Sequence, residues 1–65
     1  MYKNYAKLRD KKGLTDYAVS LATGIPQSTI YDWKQRSQKD ENAGISAKTL
    51  VKLAMFFGVG IEAFV

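Results

Sequence analysis

The chain has 65 residues, 46% of them apolar, so it holds one domain that must bury most of its large apolar side chains to stay folded and has no room for a deep catalytic pocket. Cysteine and histidine are both absent, which excludes disulfides, thiolate chemistry, the usual zinc sites and imidazole acid-base catalysis; no metal, cofactor or enzymatic activity is expected. The net charge of +4 favours a polyanionic partner, although solubility alone makes many small domains as basic.

Position sharpens the charge signal. Lys3, Lys7, Arg9, Lys11 and Lys12 face a single carboxylate, Asp10, within residues 1–12. Lys34, Arg36 and Lys39 form a second basic group. Such groups contact phosphates on either side of a groove, or simply keep a surface solvated. Residues 1–12 lack the hydrophobic centre of a signal peptide, and no apolar run approaches the roughly 20 residues of a membrane span, so a cytoplasmic location without membrane contact is expected.

The spacing predicts a first helix over about residues 3–12, with Tyr5 and Leu8 facing the core and Gly13 as its cap. A second helix, about residues 15–23, is opened by Thr15 and closed by Gly24, with Leu14 and Val19 on one face and Ile25 plugging the corner that follows. A third helix, about residues 26–36, starts at Pro26 and points Ile30 and Trp33 inward. Its other face carries Gln27, Ser28, Tyr31, Asp32 and Gln35. Two short helices joined by a tight glycine turn have the layout of a helix-turn-helix, whose second helix is narrow enough for a major groove.

Residues 37–45 are polar and aperiodic and read as a loop. Ser46 caps a fourth helix with Leu50, Leu53, Ala54 and Phe57 on its buried face, and Gly58 stops it. Val59 follows, and residues 61–65 form a last short segment in which Ile61 and Phe64 close the core. The expected fold is all-α, a compact five-helix domain over residues 1–65. The chain ends inside an apolar stretch, as one domain of a longer protein would.

The runs LRDKKGLT, GIPQSTIYDW and SAKTLVKLAMFFGVGIEAFV, in this order and spacing, resemble the lambda-repressor and Cro-like (Xre) family of bacterial and phage helix-turn-helix regulators. The resemblance spans about residues 5–65. It implies a transcriptional repressor that binds double-stranded operator DNA as a homodimer, with the third helix in the major groove. The family's base-contacting positions fall on Gln27 and Ser28, then Tyr31 and Asp32. The Gln27 amide suits adenine N6 and N7, and Asp32 would accept from cytosine N4. Phosphate contacts are expected from Lys34, Gln35 and Arg36, with Thr29 and Lys39 behind them.

Three departures from the family pattern stand out. Position 16, usually a phosphate-binding glutamine, is Asp16, expected instead to satisfy backbone N–H groups at the start of the second helix. The position after Trp33, commonly a glutamate paired with the arginine matching Arg9, is Lys34, so Arg9 must find another carboxylate or turn toward phosphate. The loop before the fourth helix is longer than usual by roughly the DENAG stretch, with Asp40 and Glu41 expected to lie away from DNA. Leu21, Met55 and Phe56 are hard to bury on a helical wheel. Met55, Phe56, Phe64 and Val65 form a candidate dimer surface. The alternative reading keeps the fold but makes it a protein-interaction module of antitoxin or anti-repressor type.

Overall fold

The computed structural model describes residues 1–65, and its elements run α1 (Tyr2–Lys11), α2 (Asp16–Thr23), α3 (Gln27–Lys39), α4 (Ala47–Phe57) and a terminal 3₁₀ helix (Ile61–Phe64). The fold is all-α, four α-helices and a short turn of 3₁₀ helix, as expected. Its radius of gyration, 10.5 Å, is close to the value of about 10.7 Å for a folded chain of this length.

Local chemistry sets the helix ends. The Thr15 hydroxyl accepts the Ala18 N–H at 3.0 Å and Ser46 accepts that of Thr49 at 3.2 Å, so both predicted N-caps form. At the corner between α2 and α3 the chain must reverse within a few residues. Gly24 does this with φ +76°, a left-handed conformation costly for any side chain, and its N–H donates to the Ser20 carbonyl. Thr23 locks the corner from within, its hydroxyl donating to the Val19 carbonyl at 2.8 Å and accepting from the Ile25 N–H at 3.2 Å.

The centre of the core is Tyr5, Val19, Ile30, Trp33, Leu53 and Phe64, all fully buried. Trp33 of α3 meets Tyr2 edge-on at 5.3 Å and Tyr5 at 5.4 Å, while Tyr5 also meets Phe57 at 6.0 Å. The indole N–H donates to the Ala43 carbonyl at 2.9 Å, so the core tryptophan also holds the long loop down. The Asn4 amide donates to the Phe64 carbonyl at 3.2 Å and fixes the terminal 3₁₀ helix against α1.

Four expectations are corrected. Helix α1 begins one residue earlier, and Tyr2 is a core residue that periodicity from residue 3 onward missed. Pro26 caps α3 with ψ 137° rather than opening it. Helix α3 continues to Lys39, three residues past the predicted end; QRSQK has no apolar periodicity to signal this, tolerates a helix, and is tied to the following loop by Arg36 on the Gly44 carbonyl. Ile61 is 49% exposed while Phe64 is buried in the core, and that burial removes Phe64 from any surface that a second copy touches.

Candidate nucleic-acid interface

Because Ile30 and Trp33 anchor α3 to the core, the opposite side of the helix is held rigidly toward solvent. At about 100° per residue, Gln27, Tyr31, Lys34 and Gln38 form one exposed stripe and Ser28, Asp32, Gln35 and Lys39 its neighbour. Lys39 belongs to this face only because α3 is longer than predicted, and Gln38 joins it for the same reason. Thirteen residues make a rod about 20 Å long, which fits a groove about 12 Å wide.

The side chains of Gln27, Ser28, Tyr31 and Gln35 form no hydrogen bond within the chain, and Tyr31 is 61% exposed. Their donors and acceptors are free for another molecule. Thr29 is half-buried at the flank of the helix. Lys34 and Lys39 are exposed without an ion-pair partner.

Asp32 and Arg36 are not free in this way. The Arg36 Nε donates to Asp32 at 2.8 Å and its Nη1 to the Gly44 carbonyl at 2.8 Å. The pair neutralises a carboxylate that would repel phosphates, and it ties α3 to the loop of residues 40–46. That loop is held again by the N-terminal ammonium on the Glu41 carbonyl at 3.2 Å, while the Asp40 carboxylate accepts the Asn42 N–H at 3.0 Å.

Asp16 is placed differently from its expected role. It does not cap backbone N–H groups; Thr15 does that, and the Asp16 carboxylate points back at α1. It accepts from the Tyr5 hydroxyl at 2.7 Å, the Tyr2 hydroxyl at 2.8 Å and the Arg9 Nη1 at 2.8 Å. Of the two options left open for Arg9, the carboxylate partner is the one taken. Burial pushes the Asp16 carboxyl up, but the hydrogen bonds from Tyr5, Arg9 and Tyr2 outweigh it and hold the group below its usual range. Burial and the bond to Asp16 push the Tyr2 phenol up to about 12. This network is a brace that fixes the start of α2 on α1. The signal was present as a single stripe of Tyr2, Tyr5 and Arg9 on α1.

Residues 6–64 match the helix-turn-helix family of Cro type, the Xre-like DNA-binding regulators. The chain belongs to that family. No curated protein and no solved structure matches it. In this helix-turn-helix domain α2 and α3 are the paired helices, and the family is one of DNA-binding regulatory domains. No helix is long and apolar enough to cross a membrane. Of the residues expected at a dimer surface, Phe64 is in the core, Val65 is exposed at the chain's end beside Asn4, and Met55 and Phe56 line a groove between α2 and α4. With Phe64 buried, the four do not all share one surface.

Exposed lysines on α3 can supply sequence-independent attraction to DNA. Lys34→Gln is expected to weaken binding to all duplexes alike and to lower the slope of log affinity against log salt by about one unit, read from titrations at several salt concentrations.

Proposed function

We propose that the protein is a repressor of phage or bacterial type that binds operator DNA by laying α3 in the major groove. The observation that carries this reading is the free polar face of α3, where Gln27, Ser28 and Tyr31 stand exposed with no partner in the chain. Gln27 reads an adenine through its amide, Ser28 serves a base or the adjoining phosphate, and Tyr31 lies against a thymine methyl. Asp32 accepts from a cytosine while Arg36 balances its charge. Thr29, Lys34, Gln35 and Lys39 bind phosphates and set the register, with the one unengaged Arg36 nitrogen, Nη2, beside them.

A homodimer on two half-sites, about 34 Å or one helical turn apart, fits this reading. Val65 and Ile61 are the exposed apolar side chains at the terminal 3₁₀ helix available for a two-fold contact. Selection from a pool of random duplexes at moderate salt, followed by sequencing of the bound fraction, tests the function. A shared two-fold symmetric motif is expected. Binding without enrichment, or no binding, contradicts sequence-specific reading.

A further inference from the structure

The groove between α2 and α4 has a volume of about 340 Å³ and is lined by Ala22, Thr23, Lys52, Met55 and Phe56. That is room for one or two large apolar side chains, and Met55, 78% exposed, leaves its wall uncovered. A single exposed methionine needs no explanation, but one beside a half-buried phenylalanine in a concave site forms an adaptable apolar floor.

Two lysines stand at the groove. Lys52 of α4 lines the groove, and Lys12, from the end of α1, places its ammonium 5.8 Å from the centre of the Phe56 ring and 6.0 Å from that of Phe57. Neither lysine has an ion-pair partner; Asp10 and Asp16 are engaged by Arg9, and Asp32 by Arg36.

We propose that this groove docks a short acidic amphipathic segment of another protein, which inserts a leucine or aromatic anchor between Ala22, Met55 and Phe56 and sets carboxylates on Lys12 and Lys52. Charge complementarity selects this occupant. A second copy of the chain, itself carrying +4, would bring the same two lysines against this groove. DNA would satisfy the lysines, but its one exposed apolar group, the thymine methyl, is recessed in the major groove and far smaller than the space above this floor. None of the lining residues belongs to α3, so peptide binding and DNA binding are separable.

The test is selection of short random segments from a displayed library on the intact protein, followed by titration of the enriched peptides. Segments with one large apolar anchor flanked by glutamate or aspartate are expected, shifting the NMR signals of Ala22, Met55 and Phe56. Changing the peptide's glutamates to glutamines is expected to weaken binding roughly tenfold, and Lys52→Gln in the protein to weaken it in the same direction. Selected DNA is expected to bind as before. No enrichment, enrichment of neutral or basic segments, equal binding by the glutamine peptide, or signal shifts confined to α3 would overturn the proposal. So would movement of the groove signals on raising protein concentration without peptide, which assigns the site to a second copy.

Discussion

The Trp33→Ala variant is expected to lose about 3–5 kcal/mol of stability, the usual cost of deleting a buried aromatic side chain. For a chain of 65 residues, whose whole stability is on the order of 3–10 kcal/mol, that removes from about a third to all of the folding free energy. The effect is large because one side chain joins three parts of the fold. Its ring meets Tyr2 and Tyr5 of α1, it anchors α3, and its N–H holds Ala43 in the long loop. Trp33→Phe keeps most of the apolar body but leaves the Ala43 carbonyl without its donor, so a smaller loss of about 1–2 kcal/mol is expected. Urea unfolding followed by circular dichroism measures both, and a Trp33→Ala midpoint near that of the parent would contradict this account of the core.

Asp16→Ala is the second large effect. Removing the carboxylate strands Arg9 and two tyrosine hydroxyls, and breaking a buried pair this way costs several kcal/mol. Arg9 and Asp16 keep 19% and 20% of their side-chain surface exposed, so water moderates the loss to about 2–3 kcal/mol. The same network gives stability a pH dependence at both extremes. The folded Asp16 carboxyl titrates below its ordinary 3.8, so its contribution is present above that pH and is lost as the pH falls through the lower folded value. The Tyr2 phenol is raised from 10.0 to about 12, so its contribution is present below pH 10.0 and is lost as the pH rises toward 12. Thermal midpoints measured across pH are expected to fall at both ends in the parent and to change less at the acid end in Asp16→Asn. Equal acid sensitivity in the two proteins would place the titration elsewhere.

Much of the fold was legible because local patterns and tertiary packing agree. Ile30 and Trp33, or Leu53, Ala54 and Phe57, recur at helical spacing and are buried where that spacing puts them, and Thr15, Gly24 and Ser46 punctuate the helices as their chemistry requires. The end of α3 was not legible, since a polar segment such as QRSQK helps neither helix nor loop by periodicity. Its state depends on contacts made at a distance, including Arg36 on Gly44.

The outward face of α3 followed from the same wheel that located its core side, so which candidate residues are exposed was readable. Which of them are already paired was not. Asp16 reaching across to α1, and Arg36 bridging Asp32 and the loop, depend on the arrangement of separate elements and on rotamers. Charge pattern along the chain carries no record of either. Phe64 shows the converse: proximity in sequence to Met55 and Phe56 suggested a shared surface, but the turn at Gly58 sends the terminal segment back into the core.

Sequence reading by α3 is tested most directly with Gln27→Ala against a selected operator and the full set of its single-base-pair variants. A loss of about 1–3 kcal/mol is expected on the parent site, with discrimination relaxed at one base pair of each half-site and preserved at the others. A uniform loss across all variants, with every preference intact, would mean that Gln27 does not touch a base and would contradict the reading of DNA through this face.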